Sequence, residues 1–392
     1  MRKFLLLTLT LSSLLYGVTL EELIDSSLAK SPSLEVIESK LLANKQAINI
    51  SNQFSNPEFL LTKNSLDSSQ AMSQTVLSIK QKIPYFSKRD TNKKVSLAQE
   101  KILEQRLQSA KVALVQSVKN EAYTIWELEE LSKIVETYMN LTQKNIELYE
   151  SYTTLNGSAH MGIMKAELSL LELKTQKSVL DAKIYSAYSR LSYLSAYKVD
   201  KLDISLKIEK KPELKELQNS LSLNPQILLQ ERKIAKQSAK VKMASINNYP
   251  DINLIAGYSY RENFDDYVNF GIGLSLPIYS TEEYKEEKAR AVLLSAKSQK
   301  EDTESSVNAT LKIYYAQMLS AYEVYHIVQD DALPKLAHMF ELSSSSISTG
   351  SELFNYIDIL FSKLNLEKKS INAVSTFKRA QAKISQLKGE TK

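Results

Sequence analysis

The chain of 392 residues contains no cysteine. It therefore has no disulfide bond, thiolate metal site, cysteine nucleophile or lipid-modified N-terminal cysteine. Glycine and proline number only 8 each, too few for an ordinary all-β protein or a low-complexity tail. Three histidines give little material for a metal site or for acid–base chemistry. These shortages predict a mainly helical protein that is not an enzyme and holds no cofactor or metal.

A strong excess of one charge is also missing. The 50 basic and 45 acidic residues leave a net charge of +5, which is too weak a bias to predict a nucleic-acid partner. Beyond the N-terminus, no uncharged apolar run reaches the ~18 residues that a membrane-spanning helix needs.

The N-terminal segment, residues 1–17, reads MRKFLLLTLTLSSLLYG. A basic start, an apolar stretch of secretory length and a final small residue predict a signal peptide. A short membrane anchor is the alternative, but the apolar stretch falls well below the ~20 residues of a spanning helix. We therefore expect the mature chain to be exported.

A single offset of 193 residues relates the two halves of the chain. Six of the eight prolines and one pair of glycines match at this offset: Pro32 with Pro225, Pro57 with Pro250, Pro84 with Pro277, and Gly157 with Gly350. This regularity indicates a tandem duplication. We expect a first repeat over 18–198, an equatorial linker over 199–224 and a second repeat over 225–392.

Alternating apolar and polar residues follow the paired prolines. In the second repeat, the apolar residues of one such segment are Val268, Phe270, Ile272, Leu274 and Leu276. This period of two predicts strands at about 57–66, 74–84, 250–260 and 267–277.

The alternation also predicts where these strands lie. An apolar face opposite a small or polar face is typical of a strand between lipid and a watery lumen. The alternative is a half-buried strand in a soluble sheet, but the sequence provides no partner sheet to cover it. Because four strands are too few to close a membrane barrel, several copies must share one.

Long helices occupy most of the remaining sequence. Residues 86–156 contain neither glycine nor proline, and from Leu103 to Tyr138 an apolar stripe recurs every third or fourth residue. This spacing is typical of coiled-coil packing. Glycines near 157 and 350 mark the tips at which the long helices turn back, and Pro334 should interrupt the second long helix.

Several motifs carry a family resemblance over nearly the whole mature chain. QKIPYFSKR (81–89) and GIGLSLPIYS (271–280) resemble the strand-to-helix junctions of the TolC family of outer-membrane efflux proteins. NPEF and YPDINLIAGY are similar to its strand entries. YTTLNGSAHMGIMKAEL and ISTGSELFNYIDILFSKL are similar to its periplasmic tips. The first junction also resembles the heavy-metal efflux branch.

The resemblance implies a trimer in the outer membrane of a Gram-negative bacterium. Three copies would share a 12-strand β-barrel in the lipid, continued by an α-helical barrel through the periplasm. The implied partners are a periplasmic adaptor protein and an inner-membrane pump of the RND or ABC type. The function would be an exit duct for efflux or type I secretion that conducts passively. A secreted or periplasmic coiled-coil structural or adhesive protein is the alternative.

The site predictions follow from the strands and the tips. Phe270, Ile272 and Leu274 are the lipid-facing candidates, because they share the apolar face of one strand. Gly157, Gly350 and Asp358 are the candidates for the tip and gate, since the resemblance implies an acidic ring where the helices converge. His160, Met161 and Met164 near the first tip could contact a soft metal, but ordinary packing is the favoured interpretation.

Overall fold

The computed structural model of the protein describes residues 17–65, 67, 70, 72–152, 157–345 and 350–391. The described chain is mainly helical, as the composition predicts. Its α-helices are α1 (Leu20–Lys30), α2 (Pro32–Ser51), α3 (Phe86–Tyr152), α4 (Gly157–Ser195), α5 (Leu214–Asn219), α6 (Pro225–Ile246), α7 (Thr281–His326), α8 (Leu333–Ser345) and α9 (Gly350–Lys388). Apart from Gly17, the expected signal peptide lies outside the described residues.

The strands form two sheets. They are β1 (Val18–Thr19), β2 (Glu58–Lys63), β3 (Gln74–Ile83), β4 (Leu202–Asp203), β5 (Asp251–Arg261) and β6 (Tyr267–Ser275). The short β1 and β4 pair in parallel, whereas the other four strands form an antiparallel sheet in the order β2-β3-β5-β6. The hairpin of each repeat therefore lies beside the hairpin of the other.

The paired prolines lie at equivalent element boundaries. Pro32 and Pro225 open α2 and α6, where the missing N–H of proline has no helical partner to lose. Pro57 and Pro250 each precede a strand by one residue. The helices α4 and α9 both have 39 residues and both begin at a paired glycine. The duplication in sequence is thus a duplication of elements.

The second long helix is interrupted, as Pro334 predicts. α7 ends at His326, a π-helical segment occupies Ile327–Ala332, and α8 begins at Leu333. Proline lacks an N–H and its ring crowds the carbonyl one turn earlier, so the regular hydrogen-bond ladder cannot pass it. In the first repeat, which has no equivalent proline, α3 continues for 67 residues.

The chain divides into two compact units. The helical unit comprises the N-terminal part up to Leu34, Ala110–Asn224 and the residues from Val307 onward. The strand unit comprises Glu35–Ser109 and Pro225–Ser306. The long helices α3 and α7 contribute residues to both units.

The core of the helical unit follows the predicted apolar stripe. On α3, Val118, Ala122 and Ile125 are buried with Leu23 of α1 and Leu191 of α4. A second cluster joins residues farther along α3 to α4 and α9: Val135, Tyr138, Leu173, Leu360 and Leu364. Burial of this stripe stabilises helices that would be marginal alone.

The expected linker, residues 199–224, packs on the helical unit. Val199 and Leu202 are buried in the cluster around α1. Farther along, the Lys378 ammonium group of α9 donates to Glu209 at 2.6 Å. The linker is therefore fixed to both repeats, while its position as an equatorial belt stays a prediction.

Candidate lipid-facing sheet and helical tips

One face of the four-stranded sheet is mainly apolar. Directly opposed residues of an antiparallel pair lie on the same face. Phe270 lies opposite Ala256, Ala256 opposite Ile79, and Ile79 opposite Phe59. The same register extends this apolar face, which we define as Phe59, Leu61, Leu77, Ile79, Ile83, Ile252, Leu254, Ala256, Tyr258, Val268, Phe270, Ile272 and Leu274. Gln81, opposite Leu254, is a polar residue on the same face.

The apolar face is bare. Phe270 and Ile272 are 83% and 77% exposed, and Leu274 is exposed as well. No described segment of the chain covers these side chains. An apolar patch that extends across four strands marks a surface for lipid or for another protein. The three lipid-facing candidates thus lie together at the β6 side of this face.

The opposite face of the sheet is mainly polar on β5 and β6, with Ile255 as an exception. It carries Asn253, Ser259 and Asn269 beside Gly257, Gly271 and Gly273. At Gly257 an added Cβ atom would lie 2.3 Å from Oδ1 of Asn269, so a larger residue there would require the Asn269 side chain to move. Small residues at these positions leave room on the polar side of the sheet.

A buried aspartate connects the two hairpins, a feature that we call the junction clamp: Lys82, Tyr85, Lys88 and Asp251. The backbone N–H of Tyr85 donates to Asp251 at 3.1 Å. The Lys88 and Lys82 ammonium groups lie 2.8 and 3.1 Å from its carboxylate oxygens. Asp251 is 8% exposed, so a buried charge is matched by two cations at the point where β3 leads into α3.

Both edge strands of the four-stranded sheet, β2 and β6, have one unpaired side within the described residues. Within the described residues, β2 pairs only with β3 and β6 pairs only with β5. Each edge therefore presents backbone N–H and C=O groups that can pair with another strand.

The tip glycines begin the return helices. Gly157 is the first residue of α4, and Gly350 is the first residue of α9. The preceding residues, 153–156 and 346–349, lie outside the described residues, so the turns themselves are not described.

The gate candidate Asp358 has a partner within the same unit. Asp358 lies on α9, and the Lys165 ammonium group of α4 donates to its Oδ1 at 2.6 Å. The Asp358 side chain is mostly exposed. The structure therefore brings the acid of one repeat against a lysine of the other near the tips.

The residues considered for a soft metal lie at the start of α4. His160, Met161 and Met164 are exposed. Over the described ranges, the histidine and carboxylate side chains form no group of three or more that could hold a metal ion. Likewise, none of the helices within these ranges combines the length and the apolar character that crossing a membrane requires.

Known proteins share this fold. The open-state MtrE outer membrane channel of Neisseria gonorrhoeae superposes with a TM-score of 0.79 at 14% identity, over 95% of this chain and 89% of that one. VceC of Vibrio cholerae, an outer membrane protein, gives 0.77 at 14% identity, over 94% and 96% of the two chains. The CmeC outer membrane channel of Campylobacter jejuni gives 0.77 at 12% identity, over 94% and 85%. No curated protein matches the chain in sequence.

Residues 217–389 match the model of the outer membrane efflux protein family. The predicted resemblance to the TolC family is confirmed. That family consists of efflux proteins and not of enzymes, and the TolC-like fold extends over the first repeat as well as the second.

Reasoning from the TolC family resemblance did not find every contact. The period-two alternation identified the apolar residues of β6, and the resemblance pointed to Asp358, but neither predicted the junction clamp or the lysine beside Asp358. The clamp residues stand in the quoted motifs, since Lys82 and Lys88 belong to QKIPYFSKR and Asp251 to YPDINLIAGY. Neither motif indicates that these side chains meet, because the contact joins residues that are 166 positions apart.

Proposed function

We propose that the protein is the outer-membrane exit duct of a tripartite efflux or type I secretion system. Three copies form a 12-strand barrel in the outer membrane of a Gram-negative bacterium and a helical channel through the periplasm. Substrates pass through it passively from an inner-membrane pump. The family match over 217–389 and the shared fold support this proposal.

The bare apolar face of the sheet carries the proposal. Phe270, Ile272 and Leu274 point to the side opposite Asn269, which is the alternation of a strand between lipid and water. Strands β3, β5 and β6 have 10, 11 and 9 residues, close to the length that crosses a bilayer. β2 is shorter, with 6 residues.

The free sheet edges explain why copies must associate. Unpaired backbone groups are costly in lipid, where water cannot satisfy them. Among the described residues, one copy offers a sheet of four strands with unpaired outer edges on β2 and β6, so three copies give the twelve strands of a closed barrel. Lipid then covers the apolar face and the lumen receives the polar face.

The tips support a role for partners. The ends of α3 and α8 and the starts of α4 and α9 mark one end of the helical unit, where a periplasmic adaptor docks in our proposal. Conduction needs no catalytic group, and the pump provides the energy. Three Asp358 carboxylates would surround the mouth, each paired with the Lys165 ammonium group of the same copy, so ion selectivity there would depend on the balance of the two charges.

A pair of lysine substitutions on one strand tests the proposal. Phe270→Lys places a charge on the apolar face, and Asn269→Lys places the same charge one residue away on the opposite face. A lysine at the lipid midplane costs about 2–4 kcal/mol, so Phe270→Lys should strongly reduce the trimer recovered from outer membranes. Asn269→Lys should leave the trimer yield near that of the native protein. Equal yields for both variants would contradict a lipid-facing Phe270.

A further inference from the structure

An aromatic and basic stripe lies on one face of α3, where this helix leaves the sheet. Phe86, Arg89 and Lys93 stand three and four residues apart at the start of the helix, so their side chains are neighbours. We call these three residues the junction stripe. Phe86 is 75% exposed. Within the described ranges neither cation of the stripe forms an ion pair, and the adjacent Asp90 is already paired with Lys94 at 2.6 Å.

Arg89 lies at the border of the mainly apolar face of the sheet. Its Nη1 donates to the Asn52 carbonyl at 3.2 Å, and its guanidinium carbon lies 3.8 Å from the centre of the Phe54 ring. The segment that carries both partners is joined to the sheet by Gln81, whose amide group donates to the Ser55 carbonyl at 3.0 Å. Gln81 belongs to the mainly apolar face. This segment therefore connects Arg89 to the edge of the face that we assign to lipid.

The length of β3 places this border at a membrane surface. At about 3.3 Å per residue and a tilt of about 40°, its ten residues cover about 25 Å, which is the height of the apolar band of a membrane barrel. The end of β3 therefore marks one surface of the bilayer in the proposed duct. Side chains of an α-helix lean toward its N-terminus, which in α3 is the end joined to β3. Arg89 and Lys93 accordingly reach back toward the headgroups.

The second strand-to-helix junction keeps an aromatic residue but reverses the charge. The residues 193 positions after the members of the junction stripe are Tyr279, Glu282 and Glu286. Tyr279 is exposed, as Phe86 is. Each of the two glutamates is paired with a cation of α7 at 2.6 Å. Of the two junctions, only the first presents cations without acidic partners in the described part of the chain.

We propose that the junction stripe binds the phosphate-bearing headgroup of an anionic phospholipid, in the leaflet on the helical side of the membrane. This assignment rests on the proposed duct, in which lipid covers the mainly apolar face. The acyl chains lie against that face, and the Phe86 ring lies at headgroup level, where aromatic side chains are favoured. The Arg89 guanidinium and Lys93 ammonium groups then donate to the phosphate oxygens. The combination of exposed apolar surface with two cations fits a phospholipid better than a free anion.

Thermal unfolding of the detergent-solubilised full-length protein tests this assignment, because a ligand that binds the native state raises the unfolding midpoint. Three additions are compared: phosphatidylglycerol, zwitterionic phosphatidylethanolamine and inorganic phosphate. Arg89→Gln with Lys93→Gln removes both cations of the junction stripe. The matched control is Lys285→Gln with Arg290→Gln, which removes two cations from the second junction. Lys93→Gln alone is the milder variant, and it decides the outcome if the double variant does not fold.

Phosphatidylglycerol should raise the midpoint of the native protein and of the control at the same concentration. Each cation beside an anionic lipid contributes about fivefold in affinity, so the half-maximal rise should need about 20-fold more phosphatidylglycerol for Arg89→Gln/Lys93→Gln and about fivefold more for Lys93→Gln. An equal rise with phosphatidylethanolamine or with inorganic phosphate would overturn the lipid assignment, as would a native response from the Lys93→Gln and double variants. If the native protein is still a trimer, the duct would stand. A monomer that is soluble without detergent would overturn both the lipid assignment and the duct.

Discussion

Lys165 and Asp358 occupy equivalent positions in the two repeats, 193 residues apart, and form an ion pair at 2.6 Å between α4 and α9. A second pair at the same offset lies in the strand unit, where the Tyr267 hydroxyl lies 3.4 Å from Gln74 Oε1. Equivalent positions of the two repeats therefore meet within one chain. The chemistry of each pair depends on residues in which the repeats have diverged.

Asp358→Asn tests whether this carboxylate faces the conducting path. The native pair is solvent-exposed, so its loss should change the free energy of unfolding by less than about 1 kcal/mol. If three carboxylates ring the mouth, the substitution should lower the preference for cations over anions in planar bilayers at low salt, where screening is weak.

The matched control for this prediction is Asp181→Asn. Asp181 is also exposed and pairs with a lysine, Lys177, on the same helix α4. It should leave ion selectivity unchanged. Identical selectivity of the native protein and Asp358→Asn would exclude Asp358 from the mouth.

The junction clamp should be a major contributor to the stability of the strand unit. Asp251→Asn removes the charge that Lys88 faces at 2.8 Å, and the Lys88 side chain is largely buried. Leaving a buried ammonium group without its carboxylate should cost about 3 kcal/mol. We expect a clear fall in the thermal unfolding midpoint of the detergent-solubilised protein.

The first repeat contains a matched control position for Asp251 of the junction clamp. Glu58 is the equivalent of Asp251, but its pair with Lys80 is exposed and longer, at 3.4 Å. Glu58→Gln should therefore change stability by less than about 1 kcal/mol. An equal loss of stability for Asp251→Asn and Glu58→Gln would contradict the prediction that the buried clamp stabilises the strand unit more than the exposed pair does.

The ion pair between Glu209 of the linker and Lys378 of α9 should weaken in acid. The hydrogen bond from Lys378, together with its charge, holds the pKa of Glu209 below its ordinary value of 4.5. A carboxylate with a lowered pKa stabilises the folded state above the pKa of the unfolded chain, and this contribution is lost as the pH falls through the folded value. Stability from this pair is thus complete above about pH 4.5.

Comparison of variants across pH measures this effect. Glu209→Gln should lower the unfolding midpoint at pH 7, and the difference from the native protein should shrink as the pH falls below 4.5. Glu213→Gln is the control, because Glu213 belongs to the same linker and has no ion pair among the described residues. A difference that stays constant with pH would contradict a contribution from the Glu209 charge.

Local signals in the sequence account for most of the elements. Proline marks the entry to α2 and α6, and the alternation from Val268 to Leu276 indicates β6 because each apolar residue stands on one face. Strand β2 is less regular in sequence, and the structure gives it only Glu58–Lys63, against the expected 57–66.

Proline positions and apolar alternation do not predict the contacts between the repeats. The clamp around Asp251 joins residues from β3, α3 and β5, and periodicity does not indicate which strand lies beside which. The lysine at 165 is one of many on the helices, and only the packing of α4 on α9 brings it to Asp358. Interactions of this kind depend on tertiary geometry, which a pattern within one segment does not encode.

The mass of the mature protein from the outer-membrane fraction is the most direct test of the duct. It can be measured by light scattering with the contribution of detergent subtracted. The account predicts three chains per particle and insolubility without detergent, because only a shared barrel closes the free edges of β2 and β6. A monomer or dimer that is soluble in plain buffer would contradict it.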